Sequence, residues 1–189
     1  MTDAAVRAAI LINGPPASGK TTIGLRLAEE VRLPFLSRDT VKERLFDELG
    51  KPDRMTNRTW GRASLEVIWS LVAEFPVGID VIVEAWFGRP PHDEVVAGLR
   101  RARVGPTCEV WCHAPGTVLA ERYAARVNRR HSGHPDASFA PELARLAGEV
   151  SPMGIGPVYS VDTSEMDAVR VDAIADWVRS TLRLSPTAD

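Results

Sequence analysis

Gly14-Pro15-Pro16-Ala17-Ser18-Gly19-Lys20-Thr21 fits G-x-x-x-x-G-K-[ST], the spacing in this chain with the clearest chemistry. A loop of that composition can turn its backbone N–H groups inward around phosphate oxygens, because glycine accepts close approach and unusual φ values. Lys20 then brings a point charge to the β- and γ-phosphates of a nucleotide, and Thr21 brings a hydroxyl to Mg²⁺. Gly14, Ala17, Ser18, Gly19, Lys20, Thr21 and Thr22 are the expected nucleotide contacts. An incidental Gly/Pro turn is the alternative, and the flanking elements decide between the two.

Those flanks are a strand and a helix. The apolar run at 8–13 suits a strand buried on both faces. From Gly19 to Val31, Ile23, Leu27 and Val31 recur every four residues, as on one face of a helix, and the helix start adds its positive dipole end beneath the phosphates. Strands are expected at 34–37, 79–85, 107–112 and 157–161. Helices are expected at 38–49, 55–75, 91–102, 115–130, 139–149 and 167–183, and 131–138 reads as a mobile loop. Strands alternating with helices imply an α/β domain, with a parallel sheet flanked by helices and right-handed crossovers.

The chain has 189 residues, enough for one domain over 1–189 with a full core. With 44% hydrophobic and 25% charged residues its composition is globular. Lys and Arg number 23 against 25 Asp and Glu, so a net charge of −2 offers no field for nucleic acid. The N-terminal apolar run is too short for a signal segment and no run approaches a membrane span, so a cytoplasmic protein is expected. Cys108 and Cys112 read as buried thiols, and His131 and His134 lack further metal ligands and read as loop residues.

LINGPPASGKTTIGLRLAEE followed by LPFLSRDTVKERLF resembles the small P-loop kinases grouped with chloramphenicol phosphotransferase, zeta toxins, and gluconate and shikimate kinases. The resemblance implies a P-loop NTPase fold with five parallel strands in the order 2-3-1-4-5, a lid over about 122–140, and ATP with Mg²⁺. It implies transfer of the γ-phosphoryl group to a hydroxyl of a small molecule such as an antibiotic, a sugar or a metabolite alcohol. A nucleoside, nucleotide or nucleotide-sugar acceptor and a nucleotide-dependent switch stay open beside it, as does the oligomeric state.

The same resemblance assigns residues. Asp39 falls where these kinases hold the acceptor hydroxyl, although it also suits the first turn of a helix. Glu84 ends its strand where an acid binds or orients the Mg²⁺ hydration shell; a strand-end carboxylate with no metal role is the plainer reading. Three or four of Arg122, Arg126, Arg129 and Arg130 can share one side of a helix and look like the lid arginines, with Arg126 and Arg129 the first choices for catalysis and Arg122 and Arg126 for the nucleotide; a solvated basic face is the other reading. Asp162 and Thr163 occupy either an adenine loop or a helix N-cap. Arg38, Arg58, Arg62, Trp86 and Phe87 are the expected acceptor contacts, together with Asp39.

Overall fold

The computed structural model describes residues 7–184, so both ends of the 1–189 unit, including the start of the N-terminal segment read above, lie outside the described residues. β1 (Arg7–Asn13) is buried at every position. The phosphate loop follows, then α1 (Lys20–Val31), β2 (Phe35–Ser37), α2 (Arg38–Leu49) and α3 (Arg54–Glu74). β3 (Val81–Glu84), α4 (Asp93–Arg101), β4 (Val104–His113), α5 (Gly116–Arg126), α6 (Ala140–Ala147), β5 (Val158–Asp162) and α7 (Val171–Leu182) complete the chain. The sheet order is β2-β3-β1-β4-β5 and every pairing is parallel, as the resemblance implies.

The two-residue period of the strands sorts their side chains onto two faces. Ile10, Ile12, Ile82, Cys108, Val110 and Cys112 pack under Ile23 and Leu27 of α1 and Ile174 and Val178 of α7. Ala9, Leu11, Val81 and Val83 meet Ile68, Trp69 and Val72 of α3 and Val95 and Leu99 of α4. Each such fully buried aliphatic side chain contributes about 1.5–3 kcal/mol of transfer free energy. A separate small core joins Ala17 of the phosphate loop to Leu119 and Tyr123 of α5 and Leu143 of α6, which couples the loop to the lid.

The helix expected over 115–130 ends at Arg126, and Val127–Arg129 tighten into a 3₁₀ turn before the backbone extends at Arg130. Three residues per turn in place of 3.6 rotate every later side chain around the axis. The last helix starts at Val171 and not at 167, because Met166–Ala168 form their own 3₁₀ turn. Among the described residues no helix is long and apolar enough to cross a membrane.

Candidate active site

The strand ends line up at one edge of the sheet, with Ile12 and Ser37 in register with Glu84, and Asn13 with Trp111. That edge is where parallel α/β sheets hold ligands. Asn13, fully buried, sets the start of the phosphate loop. Its Oδ1 accepts from Gly14 N at 2.8 Å and from Phe87 N at 3.3 Å, and its Nδ2 donates to Glu109 Oε1 at 2.8 Å. Glu109 also accepts from Met153 N and Gly154 N, each at 3.0 Å, so its buried carboxylate is fully engaged.

Gly14 is required where it stands: φ is 153°, and a Cβ there would meet the Cys112 carbonyl oxygen at 2.3 Å. Ala17 and Gly19 follow at φ 67° and 76°, which curls the loop and aims it at the start of α1. Ser18 Oγ is buried within the loop without a partner. Lys20 is 8% exposed and lies 3.6 Å from Glu84 Oε1. Burial lowers its pKa, against the pull of Glu84 and Asp39. Glu84, 1% exposed, is held on its other side by Ser37 Oγ, which donates to Oε2 at 2.5 Å. Thr21 and Thr22 are exposed at the mouth of the loop.

Asp39 sits in the first turn of α2, opposite the loop. Arg38 Nη2 approaches its Oδ1 at 3.5 Å, and Arg130 Nη2 donates to its Oδ2 at 2.5 Å. Burial alone would raise the Asp39 pKa, but the Arg38 and Arg130 guanidiniums hold it well below the usual carboxylate range. Arg38 is itself aimed by the Trp86 carbonyl, which accepts from Nη1 at 2.6 Å. Lys42, one turn further along α2, is buried and donates to Asn57 Oδ1. Burial, then Arg38 and Arg130, push its ammonium down to about 8.

The arginines separate by the geometry of the α5 end. Arg122 Nη2 donates to the carbonyls of Thr163 and Ser164 at 2.8 and 2.9 Å, tying the lid helix to the loop after β5. Arg126 stacks over Tyr123 and lies within the fields of Asp39 and Glu84. Arg129 is exposed, because the 3₁₀ turn rotates it outward and brings Arg130 onto Asp39 in its place.

The segment expected to be mobile is docked on α2: His131 Nε2 meets Asp47 at 2.9 Å, His134 Nε2 meets Glu43 at 2.8 Å, and both rings pack on Phe46. Gly133 permits that approach, since a Cβ there would lie 2.3 Å from the Phe46 ring.

Other expected contacts divide. Trp86 and Arg58 line a cavity between the start of α3 and the lid. Arg62 faces outward and pairs with Glu94 at 3.7 Å, and Phe87 packs into the α3–α4 core. Thr163 is buried, with Oγ1 donating to the His113 carbonyl at 2.9 Å, while Asp162 is exposed and accepts from Ser164 N at 2.8 Å. Cys108 and Cys112 are buried, and burial pushes both thiols up to about 12.

Sequence reasoning passed over Ser37, Asn13 and the choice of Arg130. Ser37 and Asn13 are each the last residue of their strand, the one signal that could have found them.

The oxygens offered near Lys20, the Thr21 hydroxyl and the Glu84 carboxylate, suit a hard cation that takes most of its ligands from water and phosphate. Among the described residues no cluster of three or more His, Cys, Asp or Glu side chains could hold a metal by itself.

Residues 10–148 match the AAA domain family. Adenylate kinase 8 of Rattus norvegicus is 26% identical over 183 residues, which cover 94% of this chain and 36% of the rat protein. The chain spans between 24% and 36% of the length of the curated relatives first in similarity. The crystal structure of a candidate kinase from Chloroflexus aurantiacus matches with TM-score 0.81 at 31% identity, over 94% of this chain and 99% of that one. A gluconokinase from Sinorhizobium meliloti, at 22% identity, matches with TM-score 0.57 over 95% of this chain and 93% of that one, and shares the fold.

Proposed function

The chain belongs to the AAA domain family and has the P-loop kinase fold, and from that premise we propose that it is an ATP-dependent phosphotransferase acting on a hydroxyl of a small molecule. One observation carries the reading: Lys20 of the loop, Asp39 of α2 and Arg126 and Arg130 of the lid converge on a single cleft from separate elements. Phosphoryl transfer asks for positioning and charge and little covalent chemistry, and such a constellation supplies both.

In this mechanism the backbone N–H groups of Ala17 and of Gly19 to Thr22 and the Lys20 ammonium hold the β- and γ-phosphates, since Pro15 and Pro16 carry no N–H and Gly14 N already donates to Asn13. Arg122, fixed to the 163–164 carbonyls, closes the lid helix over the base side of the nucleotide. Mg²⁺ would be held by the Thr21 hydroxyl and, through water, by Glu84, and would neutralise charge between the β- and γ-phosphates. Asp39 orients the acceptor hydroxyl. The acceptor oxygen forms a bond to the γ-phosphorus, the bond from that phosphorus to the β–γ bridging oxygen breaks, and ADP leaves with those electrons. The hydroxyl proton passes to Asp39. Because Arg38 and Arg130 hold that carboxylate ionised, it is a weak base, suited to taking the proton late in a loose transition state. Arg126 and Arg130 offset the charge on the moving group.

A screen of hydroxylated compounds for stimulated ADP release tests the reading. Stimulation by one acceptor, abolished in Lys20→Ala and cut severely in Asp39→Asn, is the expected outcome. ATP binding without stimulation by any acceptor would remove the kinase reading in favour of a nucleotide-dependent switch, whereas full transfer by Asp39→Asn would leave a kinase and remove the role given to Asp39.

A further inference from the structure

We propose that the acceptor carries an anionic group, a carboxylate or a phosphate ester, on the same molecule as its reacting hydroxyl, and that this group binds in the cavity between α3 and the lid. The inference rests on the phosphotransferase reading and specifies its substrate class.

The cavity has a volume of about 720 Å³, within the range of small-molecule sites. Asp39 is not in its lining, but two of its wall residues hold side chains that neighbour Asp39. Trp86 in its wall gives the carbonyl that aims Arg38 at Asp39, and Asn57 in its wall holds Lys42 one turn beyond Asp39.

Its charge is unbalanced. Lys51, Arg54, Arg58, Arg89 and Arg145 line it, against Asp53, Asp136 and Glu142. The aspartates are committed to backbone N–H groups, Asp53 to Thr56 at 2.7 Å and Asp136 to Ser138 at 2.9 Å. Glu142 pairs with Arg54 at 2.9 Å, and Glu149 serves both Arg89 and Arg145. Among the described residues no carboxylate pairs closely with Arg58 or Lys51, although Lys51 lies in the field of Asp136.

The unpartnered polar atoms point the same way. Trp86 Nε1, in the cavity wall, is a buried donor without an acceptor, and Arg38 Nε and Arg126 Nε, outside the lining but in the field of Asp39, are two more. Leaving such donors unmet costs free energy, so the ligand should supply acceptor oxygens. A neutral polyol brings a donor with each oxygen it offers. A carboxylate or phosphate ester brings acceptors alone, and matches guanidinium geometry as well.

The experiment uses matched acceptor pairs: a nucleoside 5′-monophosphate against its nucleoside, a sugar phosphate against its sugar, and an aldonate against its alditol. ADP release is measured for the full chain and for the Lys51→Ala/Arg58→Ala double variant. The anionic member of a pair is expected to lead by roughly tenfold or more in kcat/KM, the equivalent of one charge-assisted hydrogen bond. The double variant should remove most of that lead through KM with little change in kcat. Which pair responds separates the carboxylate from the phosphate ester.

Equal turnover of charged and neutral members, or a lead that survives the double variant, would overturn the proposal and leave the kinase reading standing. Calorimetry with the same anionic compounds in the absence of ATP separates the opposite case. Binding that weakens in the double variant, in a protein that never consumes ATP, would keep the anion site and remove the kinase.

Discussion

Arg130 Nη2 donates to Asp39 Oδ2 at 2.5 Å, joining the lid to the acceptor side of the cleft across 91 residues of sequence. The contact couples the position of the turn after α5 to the proton affinity of the Asp39 carboxylate. Were Arg130 to move away, Asp39 would lose one of the two guanidiniums that keep its proton affinity low.

Arg130→Ala is therefore expected to lower kcat by roughly 10²- to 10³-fold, the scale of removing one preorganised donor from a transition state. Arg129→Ala, at an exposed position, should cost less than a tenth as much. Since Arg130 acts through and beside Asp39, Arg130→Ala combined with Asp39→Asn should fall well short of the product of the single effects. Steady-state ADP release for the four proteins measures this, and strict multiplicativity would show that the two residues work independently.

Among the described residues the buried Glu84 carboxylate has two polar contacts, Lys20 and the Ser37 hydroxyl. Ser37→Ala removes one donor from a charge that cannot reach water. A loss of about 1–3 kcal/mol in unfolding free energy is expected from urea titration. Because the freed oxygen can then draw Lys20 away from the phosphates, ATP affinity by calorimetry should weaken as well. An unchanged urea midpoint would mean that Glu84 finds another donor.

How far the sequence speaks depends on the range of the interaction. The loop from Gly14 to Thr21 and the buried pattern of β1 are local, and the spacing alone identifies both. The strand order needed the family resemblance, since apolar runs name strands but not their neighbours. The choice between Arg129 and Arg130 turned on a change of helical pitch at Val127, where no proline or glycine marks the switch from α to 3₁₀. Asn13 and Ser37 matter through partners tens of residues away, Glu109 and Glu84, so their roles exist only in the folded chain. The docking of 131–134 was equally hidden: Gly and Pro suggest mobility, whereas Phe46 gives those histidines a surface to pack on.

That docking predicts a pH response. Burial and then Arg130 push the His134 pKa down to about 3, from an ordinary value near 6.5. Between those values the unfolded chain takes up a proton that the docked imidazole refuses. Lid docking is therefore intact above pH 6.5 and weakens as pH falls toward 3, at up to about 1.4 kcal/mol per unit. Glu43, raised by burial and Asp39, protonates early and offsets part of this loss, while Lys42 and His131 add positive charge that opposes protonation. Hydrogen exchange in 131–139, corrected for intrinsic rates, should accelerate from pH 7 to pH 5. A His134→Phe variant should lose that dependence, and exchange that ignores pH in the native protein would sever the link to His134.

Lys42 supplies a second titration of opposite consequence for function. Its ammonium titrates near 8 in the folded protein and near 10.5 in the unfolded chain, so from pH 8 to 10.5 the unfolded state binds more protons and stability rises with pH. Below pH 8 the charge is retained at a cost, crowded by Arg38 and Arg130 and relieved in part by Asp39 and the hydrogen bond to Asn57. Lys42→Met should then stabilise the ligand-free protein at pH 7 by about 1–2 kcal/mol, after the lost hydrogen bond is discounted. An anionic acceptor would repay the crowding when it binds, so the same variant should raise the acceptor KM, and the native enzyme's KM should climb as pH passes 8. Urea titration and pH-resolved kinetics measure both limbs. A variant that is less stable at pH 7 and keeps its KM would mean that Lys42 serves packing alone.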